Sequence, residues 1–470
     1  MRQLDNRIHV VGAGLAGCEC ALQLAELGHN VVLYEMRGET QTPAHKTADF
    51  AELVCSNSFG SQSEGSAPAQ LKWEAARLRS HILSAAQDTA LPAGQALGVD
   101  REAFARLLTL KTRQHPRIEI QLKVVDSLDS LPRPAVIATG PLTHESLSAS
   151  LQREFGSDFL YFFDAIAPIV DADSIDMNVA WKQDRYDKGT PDYINCGMNK
   201  DQYFQFINAV KEARKIEPKH FEITPFFEGC MPIEVMADRG PHTLRFGPMK
   251  PVGLKAPGAE REPYAAVQLR QDNKEGTAYN MVGFQTRMAY GEQTRVFRLI
   301  PGLENAEFLK LGSIHRNLFL NSPKLLNVDL SSKTDPWLFF AGQITGVEGY
   351  FESTCMGLFV ARVLHRRLQR NSPDVDQSIL PPRESAMGSL LTAITDPERA
   401  KHFQPTNINF GLFPPVASAP RDKTAKKALQ LAAARGEFEN WLRCQDTIPS
   451  RVQSAVPAED RVGTEKITNI

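Results

Sequence analysis

The chain has 470 residues, 42% of them apolar and 23% charged, and a formal net charge of -2. That length exceeds the roughly 250 to 300 residues at which one hydrophobic core stops growing, so a single small domain is excluded. The composition excludes a mostly disordered chain, and the near-neutral charge excludes a wholly basic nucleic-acid coat while leaving a local basic patch open.

The N-terminus lacks a signal-peptide pattern and no window of about 18 apolar residues occurs, so a cytoplasmic protein without a membrane segment is expected. Arg7 to Val11 reads as a buried strand, Gly12 to Gly17 as a tight turn, Cys18 to Gly28 as a helix ending at glycine, and Val31 to Glu35 as a second strand. The turn, Gly12-Ala13-Gly14-Leu15-Ala16-Gly17, fits GxGxxG, and seventeen residues separate Gly17 from Glu35. Strand, glycine turn, helix, strand and terminal acid in that order point to a dinucleotide site. The first glycine makes the turn, the second admits a pyrophosphate, the third packs helix on strand, and Glu35 accepts hydrogen bonds from a ribose diol.

Thr40 to Gln70 reads as a long ordered loop around HKTADFAELVCSNSFGSQSEGS, and loops of that length in compact domains are usually functional. Leu71 to Gln87 reads as one amphipathic helix. Pro134 to Gly140 reads as a strand returning to the sheet, with Gly140 permitting close backbone approach to a cofactor. Residues 156–327 change character, with apparent strands in TLRFGP, YAAVQLRQ and AYNMVGFQT and a helix near Gln202 to Arg214, as expected of an inserted α+β domain. The nucleotide pattern resumes at Leu338 to Gln343 and a helix from about Glu352 to Leu368. The expected organisation is therefore 1–155 and 328–420 as two parts of one α/β nucleotide-binding domain, 156–327 as the insert, and 421–470 as a basic helix and a mobile polar tail.

The late strand, glycine turn and helix in FFAGQITGVEGYFES favour FAD over NAD, in a Rossmann-like FAD-binding domain of glutathione-reductase type. Gly342, Gln343, Gly346, Val347, Glu348 and Gly349 are then cofactor candidates beside Gly12, Ala13, Gly14, Leu15, Ala16, Gly17, Glu35 and Gly140. Seven blocks, ELVCSNS, EGCMPIE, TLRFGPMKPVGL, VQLRQDN, YNMVGFQT, VFRLIPGLENAEF and AGQITGVEGYFES, occur in order. Together they resemble the folate- and FAD-dependent tRNA (uracil-5-)-methyltransferases, which make 5-methyluridine in the T loop of bacterial tRNA. The departures are Thr354-Cys355-Met356, where small residues are usual before the helix, and the tail after Arg443. The late turn also resembles that of the FAD proteins that modify the wobble uridine of tRNA, which are longer and carry an extra helical domain. A FAD oxidoreductase acting on a small soluble substrate would need only the fingerprint and the late turn.

The resemblance implies 5,10-methylenetetrahydrofolate as one-carbon donor, reduced FAD as hydride source, and NADH or NADPH as co-substrate without a Rossmann domain of its own. Uracil C5 is a poor nucleophile, so a thiolate must first add to C6. The family's two functional cysteines map onto Cys230 and Cys55. Without that context Cys230 would read as a small buried hydrophobe. Glu228 and Glu234 could handle protons near it, and Arg239 and Arg245 could anchor phosphates. Cys55 could face the flavin. Cys18, Cys20, Cys196, Cys355 and Cys444 read as packing residues. Arg245, Lys250, Arg270, Arg287, Arg295, Arg298, Arg362, Arg366, Arg367 and Arg370 are candidates for tRNA phosphates, about half of them expected to be merely solvated. His45, His315 and His402 lack ligand spacing, so no metal is assigned, and no stable protein partner is expected.

Overall fold

The computed structural model describes residues 4–446 except 43, 157–158, 166, 188–189, 217–230, 274–275, 313, 417–419 and 421. It opens with β1 (Leu4–Val11), α1 (Leu15–Glu26) and β2 (Val31–Glu35). Ile8 to Val11 and all of β2 are buried, the apolar run expected of strands covered on both faces of a parallel sheet. β1 and β2 pair in parallel from Ile8 opposite Val31 to Val11 opposite Tyr34. Around them lies a five-stranded sheet in the order Leu338–Phe340, Arg133–Ile137, β1, β2, Ile118–Leu122. The late strand pairs in parallel with Arg133–Ile137, so the chain leaves this sheet and returns to it after about half its length.

The intervening chain builds a second sheet of six strands, ordered Trp181–Lys182, Tyr193–Met198, Ala265–Gln271, Ala278–Met281, Ile169–Asp171, Phe308–Lys310. Its own core gathers Tyr203, Phe206, Phe284 and Phe297, separate from the core of the first sheet. Helix Lys200–Glu212, started by a capping box between Asn199 and Gln202, contributes Tyr203, Phe206 and Val210 to that core. The strands Phe159–Ala165 and Ile314–Leu320 pair antiparallel where the chain passes between the two sheets.

Helix Tyr350–Arg370 packs along α1, and a Cβ at Gly357 would fall on the carbonyl of Ala16. Thr354, Cys355 and Met356 lie inside this helix and are buried, rather than preceding it. The C-terminal helix Lys423–Asp446 rests Phe438 against Trp73, with ring centroids 6.2 Å apart, while Arg435 donates to Gln70 at 3.1 Å.

Two expected elements differ. The span Leu71 to Gln87 is two helices, Ala67–Arg77 and His81–Asp88, broken where Arg79 takes φ 59°. A distant residue makes the break: the buried carboxylate of Glu19 accepts from Ser80 Oγ and from the amides of His81 and Ile82, capping the second helix. Thr243–Phe246, expected as strand, is a single helical turn. A strand would place Leu244 and Phe246 on one face, yet Leu244 is fully buried and Phe246 is 73% exposed. Among the described residues no helix is long and apolar enough to cross a membrane, and no group of three or more His, Cys, Asp or Glu is arranged to hold a metal ion.

Candidate active site

The end of β1 enters a cleft between the first and late glycine turns, open to solvent. Gly12 takes φ 101°, and a Cβ there would lie 2.6 Å from the Ala138 carbonyl oxygen, so only glycine fits the turn. A Cβ on Gly17 would collide with the Gly12 carbonyl, so this position sets how closely α1 approaches the turn. Gly14 differs from both: it lines the cleft and precedes α1, and a Cβ there would meet no protein atom within 4 Å. The space reserved at Gly14 is open toward the cleft, as a cradle for a pyrophosphate at a helix N-terminus requires. The residues present therefore fit a dinucleotide.

Glu35, at the end of β2, is buried. Its Oε2 accepts from Ala13 N at 2.8 Å, and its Oε1 accepts from Arg37 N at 3.0 Å and Arg37 Nε at 2.9 Å. Burial alone would raise its pKa, but the Arg37 hydrogen bond and charge prevail and hold it below the ordinary carboxylate range. Arg37 also donates to the Asp49 carbonyl at 2.7 Å and lies 3.7 Å from Glu52, tying the ribose-side acid to the following loop.

Leu15, Ala16, Gly140, Gly342 and Gln343 join this wall. Gly140 and Gly342 have φ of 63° and 81°. Gly346, Val347, Glu348 and Gly349 do not line the cleft. They shape the turn behind it, where Glu348 N donates to the Thr406 carbonyl at 2.9 Å and its carboxylate accepts from Gln343 at 2.9 Å. Sequence reasoning missed Arg37, His45, Glu52 and Tyr350 on the wall. Arg37 lies two residues beyond the ribose acid, and Glu52 and Tyr350 lie within the blocks ELVCSNS and AGQITGVEGYFES, whereas His45 carried no such signal. Burial and the nearby Arg37 charge push His45 down to about 4, so it is neutral near pH 7.

Cys55 is half-buried on the loop beside Val54 and Tyr350, both of which line the cleft. The amides of Cys55 and Ser56 donate to the Tyr350 hydroxyl at 2.7 and 3.2 Å. Cys230 and Glu228 lie outside the described residues. Glu234 is fully buried at the start of helix Ile233–Asp238, and its carboxylate accepts from Thr286 Oγ1 at 3.1 Å and Arg287 N at 2.5 Å. Burial pushes its pKa up, against those hydrogen bonds.

The basic candidates separate by geometry. Lys250 and Arg239 are exposed. Arg245 donates to the Tyr264 carbonyl at 2.7 Å and stacks on its ring, Arg287 is half-buried, and Arg298 is exposed with its guanidinium on the Ala306 carbonyl. Arg295 pairs with Glu292, and Arg366 and Arg370 converge on Asp376; Arg362 is half-buried. Two candidates are corrected. Arg270 is buried and donates to Asn57 Oδ1 at 3.0 Å, and Arg367 is buried against Asp329 and the Phe339 ring, so neither is presented to a phosphate backbone. Among the thiols, burial raises Cys18 and Cys196 to about 12 and drives Cys20 and Cys355 upward, as packing residues. Cys444 is exposed on the C-terminal helix, which corrects its reading as packing.

Against this geometry the comparisons with known proteins agree on one family. The family described as Glucose inhibited division protein A matches residues 7–372. The chain is 70% identical over 438 residues to Methylenetetrahydrofolate--tRNA-(uracil-5-)-methyltransferase TrmFO of Bdellovibrio bacteriovorus, covering 93% of this chain and 98% of that one. It is 51% identical over 443 residues to the protein of the same name from Koribacter versatilis, with 93% and 98% covered. Among solved structures, Aquifex aeolicus GidA superposes with a TM-score of 0.63 at 15% identity, over 93% of this chain and 73% of that one, which shows a shared fold. With the glycine cradle and the discontinuous parallel sheet in place, these matches establish that the chain belongs to the Glucose inhibited division protein A family and, within it, to the methylenetetrahydrofolate--tRNA-(uracil-5-)-methyltransferases TrmFO.

Proposed function

We propose that the protein methylates C5 of a T-loop uridine in tRNA, taking the one-carbon unit from 5,10-methylenetetrahydrofolate, with FAD as redox cofactor and NADH or NADPH as the reductant that recharges it. The observation that carries this reading is the 70% identity across 93% of the chain to a relative named for that reaction. Bound and reduced, FAD supplies the hydride that turns a carbon at the formaldehyde oxidation level into a methyl group.

The chain's own residues divide the remaining work. Gly14 and the N-terminus of α1 accept the pyrophosphate, and Glu35, preset by Arg37, receives the ribose hydroxyls. Cys230 is the thiolate that adds to uracil C6, making C5 nucleophilic, and Glu228 is the candidate for moving a proton beside it. Glu234, with its carboxylate committed to Thr286 and Arg287, positions the segment that leads out of Cys230. Cys55, next to the cleft wall, shields the reacting carbon or passes a proton. Lys250, Arg239, Arg245, Arg287 and Arg298 offer cations to phosphates. A cytoplasmic location follows from the substrate.

Incubating unmodified tRNA with the protein, methylenetetrahydrofolate and NADPH should yield 5-methyluridine in the T-loop fragment by nucleoside mass analysis, and its absence would overturn the reading. Transfer RNA carrying 5-fluorouridine should trap a covalent adduct, because fluorine blocks proton loss from C5. Cys230→Ala should abolish that adduct while retaining FAD. An adduct that survives in Cys230→Ala and disappears in Cys55→Ala would exchange the two roles.

A further inference from the structure

The loop bearing Cys55 is gripped from both units. Arg101 donates to the Leu53 carbonyl at 3.0 Å and reaches the Cys55 carbonyl at 3.5 Å. Between them, the Val54 carbonyl accepts from Lys310 Nζ at 3.1 Å, so three successive carbonyls face cations. Asn57 closes the loop, donating to the carbonyls of Val99 and Gln271 at 3.1 and 2.9 Å while accepting from Arg270 Nε at 3.0 Å. Arg101 is itself held by Asp272 at 2.8 Å. Arg270, Gln271, Asp272 and Lys310 all belong to the inserted unit, whereas Cys55 and Arg101 belong to the first.

Lys310 stands out within this clamp. It ends an edge strand whose neighbouring Leu309 is 52% exposed, yet its own ammonium turns inward to the loop. Burial, with the Arg101 and Lys46 charges, lowers Lys310 to about 8, against the pull of Cys55 and Glu52. The titratable and charged groups around this point are Arg101, Lys46, His45, Glu52, Tyr350 and Asp272. Held on the Val54 carbonyl, the ammonium stands beside the Cys55 peptide, and a neighbouring cation favours a thiolate over a thiol.

We propose that Lys310 is a positioning residue for Cys55: from the inserted unit it fixes the Val54–Cys55 peptide and supplies the positive charge that keeps the thiol reactive as a thiolate at the cleft. It rests on the reading that Cys55 takes part in methyl transfer. The reactivity of Cys55 therefore depends on the inserted unit being seated on the first.

The test uses the FAD-bound protein as purified. Iodoacetamide alkylation of the Cys55 peptide is followed by mass analysis from about pH 5.5 to about pH 9.5, a range spanning ordinary and lowered thiol titration. Lys310→Met should slow alkylation near neutral pH by at least about 10-fold and move the profile toward alkaline pH, while Lys310→Arg restores it. An unchanged profile, or faster alkylation at every pH from a merely loosened loop, would overturn the proposal. Flavin content and thermal midpoint report folding; if Lys310→Met does not fold, Lys310→Gln, which keeps a donor without the charge, replaces it in the comparison with Lys310→Arg. Methylation of tRNA by the unaltered protein tests the functional reading separately, since the alkylation profile needs neither RNA nor folate.

Discussion

The nucleotide unit and the inserted unit use their distinctive side chains in opposite ways. In the first, the residues picked out by spacing face the cleft or shape its backbone: Gly12 and Gly17 set the turn, Gly14 leaves room, and Glu35 ends the strand beside the cleft. In the insert, Lys250 and Arg298 are exposed, but Arg270 points inward to Asn57 of the other unit. A backbone motif fixes direction because geometry leaves little choice, whereas a charge carries no information about which way it points until the fold is known.

The largest expected effect separates the glycines within the motif. Gly14→Val should keep the fold yet weaken FAD retention by at least about 100-fold, about 2.7 kcal/mol, because its methyls enter the cleft. Gly12→Val should instead cost stability, about 3 kcal/mol or more, because φ and the Ala138 carbonyl both oppose it. Flavin absorbance per protein and thermal midpoint distinguish these outcomes, and full flavin content in Gly14→Val would break the cofactor assignment.

Next comes the contrast among the arginines and lysines of the insert. Arg270→Met should cost about 2 to 4 kcal/mol in urea unfolding, since Asn57 loses a buried charged donor. Lys250→Met, at an exposed site, should stay within about 0.5 kcal/mol. Equal costs would mean that the clamp at Asn57 contributes little.

A smaller effect depends on pH. Burial raises Glu74 to about 7 from an ordinary 4.5, although Gln70 and the amides of Met387 and Ala386 oppose the shift. The folded state then holds more protons than the unfolded chain between those values, so this contribution is complete below about 4.5 and is lost as pH rises through about 7. Glu74→Gln should remove that slope from urea midpoints measured across the window, and an unaltered slope would contradict the assignment. The smallest effect belongs to RNA affinity: Lys250→Ala should weaken tRNA binding a few-fold and reduce the salt slope by about 1, measured by titration at several salt concentrations.

Much of the first unit was legible because strand, turn and acid are local signals. The break at Arg79 was not, because the cap that makes it comes from Glu19 on α1, about sixty residues earlier. The same applies to Thr243–Phe246, where the run TLRFGP suggested a strand and tertiary packing buried only Leu244. Arg37 escaped notice because no fingerprint includes the partner of the ribose acid, and the loop's cationic clamp because its members lie as far apart as Leu53 and Lys310. Cys230 entered through family resemblance, and Glu228 through its place two residues before it.

The origin of the transferred carbon decides most directly whether this chain carries out flavin-assisted methyl transfer. Methylenetetrahydrofolate labelled with carbon-13 in its methylene group, supplied with NADPH and unmodified tRNA, should place the label in the methyl group of T-loop 5-methyluridine, with no dependence on S-adenosylmethionine. Label arriving from S-adenosylmethionine instead, with folate dispensable, would contradict the assignment of a flavin-assisted methyl transfer to this chain.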